Sequence, residues 1–105
     1  EVCTSAADDQ IFHILYDGTV IDERRFCVLG GDMERVNATL SEGLPESLDL
    51  AGALRLAVGA LAGPDRQIPV SELEVAILSR SNGRRCFRRL DDSQVAVLLG
   101  SETNE

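Results

Sequence analysis

The chain has 105 residues, a formal net charge of −8 and a hydrophobic content of 44%. These values allow one globular domain with its own core. The acidic balance, with an isoelectric point near 4.5, argues against nucleic acid or an anionic membrane surface as a partner, because both require a positive field. The sequence has no apolar run approaching the roughly 18 residues of a membrane span and no leader-like start, so we expect a cytoplasmic protein.

Two features of the composition limit the chemistry further. The cysteines Cys3, Cys27 and Cys86 are widely spaced and form no Cys-x-x-Cys pair, so we expect buried free thiols and no zinc or redox motif. All ten basic residues are arginine. Without lysine, these residues cannot supply a lysine Schiff base, a lysine general base or a Walker-type phosphate lysine.

The first regular element predicted along the chain is a β-hairpin. Residues 11–16 are rich in β-branched and aromatic side chains, and Asp17-Gly18 directly after them is a two-residue hairpin signal. The returning strand is predicted over Thr19–Ile21 and again over Phe26–Leu29, with a charged turn or bulge between the two parts. Both main strands are apolar on both faces, which requires cover on both sides of the sheet.

A helix is predicted directly after this hairpin. Gly30 and Gly31 form a structural corner at its start, and residues 43–45 end it with a glycine cap followed by a proline. The apolar residues that recur in it at helical spacing are Met33, Val36 and Leu40.

A second helix follows at once, with Asp49 as the expected N-cap and a Gly-Pro pair at 63–64 as its end. Arg55 is its only charged residue, so we expect the helix to be largely buried. Gly52 and Gly59 lie on one face, where they would let another backbone approach closely. The expected apolar stripe consists of Leu50, Leu54, Val58 and Leu61.

The rest of the chain is predicted to form a second hairpin, a short helix and a flexible tail. Residues 73–78 alternate as a third strand, residues 81–83 turn the chain, and residues 84–90 return as a fourth strand. Residues 91–93 cap the final helix, and residues 101–105 form the tail. The inward residues of that helix are Val95, Leu98 and Leu99.

This order of elements predicts an α+β fold with helices gathered on one face of an antiparallel sheet. Helices on one face cover only half of a sheet whose strands are apolar on both faces. The 105 residues provide no second layer for the other face. We therefore expect a further part of a longer chain, or another subunit, to cover it.

Several stretches combine into a pattern that is more specific than any single motif. They are YDG at 16–18, GG at 30–31, ALRLAV at 53–58, LEVA at 73–76 and FRR at 87–89. Together, and over nearly the whole chain, they resemble the C-terminal part of the α-type subunit of the actinobacterial core proteasome.

The resemblance implies half of an αββα four-layer sandwich, because family members are much longer and pack two antiparallel sheets between helical layers. Residues 1–105 would then be the C-terminal portion of a proteasome α-type domain. The resemblance also implies a non-catalytic role in ring assembly, chamber gating and docking of an activator that delivers tagged proteins. The implied partners are other α-type subunits, the catalytic β-type subunits and an activator ATPase ring.

The residues offer little for catalysis. The β-type relatives use an N-terminal threonine as nucleophile, and Thr4 would match that role only after a cleavage that no feature supports. His13 is the only histidine, and we expect a satisfied or partly exposed strand residue, since the sequence places no nucleophile or carboxylate constellation beside it. No spacing resembles a calcium loop or a zinc set. We expect no catalytic residue, cofactor or metal here.

Half of the arginines fall within one decade of the sequence, namely Arg80, Arg84, Arg85, Arg88 and Arg89. In an acidic chain they are a candidate subunit interface that pairs with carboxylates of a neighbour. The alternative is a solvated hairpin whose guanidinium groups meet the chain's own carboxylates. Because side chains alternate along a strand, arginines occur on both faces, and some must then have intrachain partners.

A rival interpretation makes the chain a standalone small α+β domain that binds an anionic ligand at the Gly30-Gly31 helix start. Two glycines before a helix can direct backbone N–H groups at a phosphate. Asp32 and Glu34 weaken this interpretation, because carboxylates in the first turn already satisfy the positive end of the helix dipole and repel an anion.

Overall fold

The computed structural model of the chain describes residues 1–45 and 47–100. The helices and strands within these residues are β1 (Ile11–Ile14), β2 (Val20–Glu23), α1 (Met33–Gly43), α2 (Leu50–Ala62), β3 (Val75–Leu78), β4 (Phe87–Leu90) and α3 (Asp92–Gly100). Short 3-10 helices cover Ala6–Asp8, Val70–Glu72 and Arg80–Arg85. The predicted α+β class is confirmed, and the predicted flexible tail at 101–105 lies outside the described residues.

The strands pair antiparallel, as predicted, but they form two separate two-stranded sheets. In the first sheet β1 pairs with β2, and His13 lies opposite Ile21. In the second sheet β3 pairs with β4, and Ile77 lies opposite Arg88. This arrangement is consistent with part of a layered α/β sandwich, in which neighbouring elements of a longer chain complete the layers.

The first hairpin has a three-residue loop, so the predicted two-residue turn is wrong. The Leu15 N–H donates to the Thr19 carbonyl at 2.8 Å, and the Gly18 N–H donates to the Leu15 carbonyl at 2.9 Å. Gly18 has a φ of +91°, which glycine adopts without steric cost. The Asp17 carboxylate accepts the Thr19 N–H at 3.0 Å and supports the turn.

The prediction of a strand over Phe26–Leu29 is also wrong, because the chain turns sharply after β2. Arg25 has a φ of 74°, and the Phe26 N–H donates to the Arg24 carbonyl at 2.8 Å, which closes a γ-turn. The turn leads the following residues away from strand pairing. Phe26 and Val28 pack instead against the apolar cluster between the first two helices.

The core consists of two apolar clusters on opposite sides of α2. The first lies between α1 and α2 and contains Val36, Leu40 and Ala60, with Phe26, Val28 and Leu56 packed against it. The second contains Leu54, Leu90 and Val95, surrounded by Val58, Val70, Leu73, Val75, Ile77, Leu98 and Leu99. At 100° per residue, positions 54 and 58 lie about 200° around the helix from 56 and 60. Helix α2 therefore contributes to both clusters.

The starts of α2 and α3 are capped as the sequence predicts. The Asp49 carboxylate accepts the Gly52 N–H at 2.7 Å. At α3, Asp91 Oδ1 accepts the Gln94 N–H at 2.9 Å, and Gln94 Oε1 accepts the Asp91 N–H at 2.9 Å. This reciprocal pair is a capping box, which satisfies backbone donors that have no partner within the helix.

Two expectations for α2 are wrong. Leu50 and Leu61, predicted as core positions, are exposed, because the two packing faces of the helix are centred on other residues. The expected close approach of a backbone is also not seen in the described part of the chain. A Cβ built on Gly52 meets the adjacent cap residues, and one built on Gly59 meets nothing within 4 Å.

The chain leaves much apolar surface exposed. Its accessible surface is 7931 Å², whereas a monomeric protein of 11.3 kDa exposes about 5,700 Å². Its radius of gyration is 14.8 Å, whereas about 13 Å is typical of a compact domain of this length. Exposed apolar residues on the sheets include Phe12, Ile14, Val20, Leu78 and Phe87. The expected uncovered sheet face is therefore present.

The buried position of Val95 makes the second cluster testable. Val95 is 1% exposed and Val97, two residues along the same helix, is 64% exposed. We expect Val95→Ala to lower the free energy of unfolding of the complete protein by about 1–3 kcal/mol. The matched control Val97→Ala should have a smaller effect, because this chain buries less of that side chain. Equal effects in urea unfolding would contradict the assigned core.

Candidate functional site

The Gly30-Gly31 corner lines an open cleft of about 840 Å³ between the start of α1 and the end of α2. Gly30 has a φ of +77° and Gly31 a φ of +42°, and a Cβ built on either meets nothing within 4 Å. Glycine is therefore favoured here by the backbone conformation and not by lack of space.

Arg35 occupies the cleft and is committed to partners within the chain. Its Nε donates to Asp32 Oδ2 at 3.1 Å, and its Nη1 and Nη2 donate to the carbonyls of Ala60 and Leu61 at 2.9 and 3.2 Å. The guanidinium thus satisfies carbonyls at the negative end of α2. The other charged residues lining the cleft are Asp65, Arg66 and Glu72. This balance does not favour an anionic ligand at the corner.

Arg80, the first of the predicted interface arginines, is also engaged within the chain. Its Nη1 and Nη2 donate to the two carboxylate oxygens of Asp9 at 2.9 and 2.8 Å, and Nη1 donates to the Cys3 carbonyl at 2.5 Å. The Asp9 carboxylate also accepts the Cys3 N–H at 2.7 Å. Together these hydrogen bonds hold the pKa of the Asp9 carboxyl well below its usual range, and the hydrogen bond from Arg80 has the largest effect.

The five interface candidates do not share one face. Arg80, Arg84 and Arg85 belong to the 3-10 helix between β3 and β4, whereas alternation along β4 places Arg88 and Arg89 on opposite faces. Arg89 Nη2 lies 3.8 Å from an oxygen of Glu74, a distance and exposure at which the pair contributes little. All five arginines are exposed, and Arg80 is held by its ion pair with Asp9. The remaining four are Arg84, Arg85, Arg88 and Arg89.

A second group of chemically capable side chains lies beside the first hairpin. His13 Nδ1 is 3.7 Å from Glu23 Oε2, and the Cys27 thiol donates to the same oxygen at 3.9 Å. All three residues are half-buried, and their ligand atoms lie within 4.8 Å of one another. Burial, and secondly the nearby Glu23 charge, raise the pKa of the Cys27 thiol.

Strand register explains this group, which the sequence reasoning missed. His13 lies opposite Ile21, and Glu23, two residues further along β2, therefore lies on the same face of the sheet. The γ-turn centred on Arg25 then brings Cys27 back toward that face. The two-residue turn predicted from the sequence would pair His13 with Asp22 and leave Glu23 on the other face, so only the three-residue loop reveals this group. The three cysteines are free, as expected, but half-buried where full burial was expected.

Comparison with known proteins gives a consistent result, although no family model matches the chain. The "Proteasome subunit alpha" of Arthrobacter sp. (strain FB24) is 39% identical over 109 residues, which cover 97% of this chain and 46% of the relative. The proteins of that name from Thermobifida fusca (strain YX) and Parafrankia sp. (strain EAN1pec) are 45% and 46% identical over 102 and 107 residues. Each of those matches covers 94% of this chain, and 41% and 44% of the relative.

The chain is similar to the C-terminal part of proteasome α subunits. The resemblance read from the sequence motifs is thereby confirmed. The chain spans less than half the length of the curated relatives that it matches. Among its described residues, no helix combines the length and apolar content that crossing a membrane requires.

The Gly30 corner of the segment can be tested with a matched pair of substitutions. Gly30→Ala places a Cβ in a left-handed conformation and should lower the free energy of unfolding by about 1 kcal/mol. Gly59→Ala makes the same change inside α2, where nothing lies within 4 Å, and should raise it by about 0.5–1 kcal/mol. Urea unfolding of the complete protein measures both. The same sign for both variants would contradict the described geometry.

The contact between Arg80 and Asp9 can be tested by titration. The pKa of Asp9 is lowered from its ordinary 3.8. The ion pair therefore stabilises the fold fully above pH 3.8, and this stabilisation is lost as the pH falls through the lowered pKa of the folded state. NMR of the Asp9 carboxyl in Arg80→Gln should show its pKa returning toward 3.8. Arg84→Gln is the control and should leave it unchanged. An Asp9 pKa insensitive to Arg80→Gln would refute the ion pair.

Proposed function

We propose that this chain forms part of a non-catalytic α-type subunit of the core proteasome. The observation that carries the proposal is the 39–46% identity to three curated α subunits over 94–97% of the chain. The proposed role is in ring assembly, chamber gating and activator docking during degradation of tagged proteins in the cytoplasm. The proposed partners are other α-type subunits of a seven-membered ring, the catalytic β-type subunits and an activator ATPase ring.

Residues 1–105 would supply the C-terminal portion of the α-type domain. Support comes from the exposed apolar side chains on the two small sheets, such as Phe12, Ile14 and Phe87. Exposed apolar side chains grouped on a sheet are normally covered in the working protein. In the family, the gate segment and the ATPase pockets belong to the N-terminal part of the subunit. We therefore assign to these residues a share in the ring wall, and not the gate itself.

The chemistry of the best-placed nucleophile favours a non-catalytic role. Cys27 lies near His13, as a nucleophile and base would, but burial and Glu23 raise the pKa of its thiol. An activated cysteine requires the opposite shift, because the thiolate is the reactive form. Without a bound cation, the raised pKa lowers the thiolate fraction of Cys27 and, with it, the reactivity of the thiol.

We propose that the exposed arginines of the second hairpin contact carboxylates of a neighbouring subunit. Arg84 and Arg85 are adjacent and exposed in the 3-10 helix, while Arg88 borders a shallow groove of about 350 Å³ beside Leu50 and Val97. Arginine suits this role because its planar guanidinium can bind a carboxylate through two parallel hydrogen bonds. Arg80 would act indirectly, by fixing the 3-10 helix to the first residues of the chain through Asp9.

Co-expression tests the proposed assembly. The complete protein, produced with the β-type subunit of the same organism, should elute from size exclusion as a large particle. Arg84→Glu combined with Arg85→Glu should lower the particle yield several-fold, because like charges would face one another at the interface. Arg66→Glu, which reverses one charge on the loop after α2, is the control and is compared with Arg84→Glu alone. A strictly monomeric wild-type profile, with and without the β-type subunit, would contradict the proposed function.

A further inference from the structure

We propose that His13, Glu23 and Cys27 form a binding site for a thiolate-preferring divalent metal ion, with Zn²⁺ as the reference member. The three residues lie on β1, on β2 and just after the γ-turn, so the site is built by the first hairpin and the segment that follows it. It is separate from the arginines assigned to the subunit interface and from the cleft at Gly30. The inference goes beyond the proposed function and does not depend on it.

The distances fit a zinc site after a small contraction. Tetrahedral coordination with Zn–S near 2.3 Å and Zn–N or Zn–O near 2.1 Å places neighbouring ligand atoms about 3.4–3.6 Å apart. The His13 Nδ1 to Glu23 Oε2 distance is 3.7 Å, and the Cys27 Sγ to Glu23 Oε2 distance is 3.9 Å. Both exceed the ideal by about 0.3 Å, a change that side-chain rotation can supply. A ring nitrogen of His13 and the Cys27 Sγ atom lie within 4.8 Å, so this pair closes by at most about 1.2 Å.

The donor set selects a class of metal. One thiolate, one imidazole nitrogen and one carboxylate oxygen suit Zn²⁺ and its neighbours in the first transition row. Ca²⁺ and Mg²⁺ require oxygen ligands and are not matched by a thiolate and an imidazole. Three protein ligands leave a fourth tetrahedral position, which a water molecule can fill.

Metal binding would also give the Glu23 carboxylate and the Cys27 sulfur a partner of opposite charge. Without a cation, the partly buried Glu23 carboxylate faces a neutral thiol at 3.9 Å and a histidine nitrogen beyond hydrogen-bond distance. When the metal binds, the Cys27 thiol releases its proton to solvent, the sulfur forms a bond to the metal, and His13 donates its neutral Nδ1 lone pair. The −1 charges of thiolate and carboxylate together balance the 2+ ion. The net charge of −8 favours approach of a cation.

The site would stabilise a particular part of the fold. The segment after the γ-turn does not pair with a strand, and it is joined to the first cluster only through partly buried side chains such as Phe26 and Val28. A metal bridge from Cys27 to His13 and Glu23 would attach this segment to the β1–β2 sheet. A two-stranded hairpin is only marginally stable by itself, so such a bridge would order it.

The experiment measures metal binding by the complete reduced protein, titrated with Zn²⁺ against a chromophoric chelator and, separately, with Co²⁺. We expect one ion per chain, and with Co²⁺ a near-ultraviolet charge-transfer band that arises only from a thiolate ligand. Cys27→Ser should abolish the band. Cys27→Ser, His13→Gln and Glu23→Gln should each weaken Zn²⁺ binding by more than about tenfold, since even outer partners of a metal contribute about 10–100-fold.

The controls separate this site from other thiols and carboxylates. Cys86→Ser removes a free cysteine outside the cluster, and Asp22→Asn removes a carboxylate next to Glu23 in sequence. Both variants should keep the band and the wild-type affinity. A wild-type protein that shows no charge-transfer band at saturating Co²⁺ would overturn the proposal without any variant. Wild-type Zn²⁺ affinity in Cys27→Ser would also overturn it.

Discussion

The packing of α2 against two clusters at once is the interaction on which the rest of the structure depends. The two sheets do not pair with each other, and α2 lies between the two apolar clusters of the chain. Leu56 and Ala60 on one side of α2 hold α1 and the segment containing Phe26. Leu54 and Val58 on the other side hold α3 and the β3–β4 sheet. A two-stranded hairpin alone would be marginal, and α2 supplies apolar surface to the second hairpin and to the segment that follows the first.

This arrangement leaves part of the apolar surface of the chain uncovered. The fully buried core is small, and several large apolar side chains on both sheets are exposed, including Ile14 and Phe87. The chain spans less than half of its curated relatives, which agrees with a layer that the rest of a longer protein covers. The ion pair between Arg80 and Asp9 connects the 3-10 helix of the second hairpin to the residues just before β1.

The sequence predicted the elements whose signals are local and failed where tertiary geometry decides. The caps at Asp49 and Asp91 were predictable, because each depends on residues within one helical turn. The strand over Phe26–Leu29 was not, because the left-handed Arg25 turns the chain out of pairing. Predicting the group of His13, Glu23 and Cys27 would have required the register of β1 against β2, which the sequence pattern did not give correctly. Alternation predicted that the arginines of β4 would face both ways, but their partners depend on contacts distant in sequence.

Solvent footprinting of the complete assembled protein tests the central claim most directly, namely that these residues form one layer of a larger fold. Hydroxyl-radical labelling, read by mass spectrometry, reports the exposure of individual side chains, each compared with the same residue in the denatured protein. The account predicts strong protection of the sheet residues that are exposed in this chain alone, namely Phe12, Ile14, Val20, Leu78 and Phe87. Labelling of these side chains at the denatured level in the complete protein would contradict it.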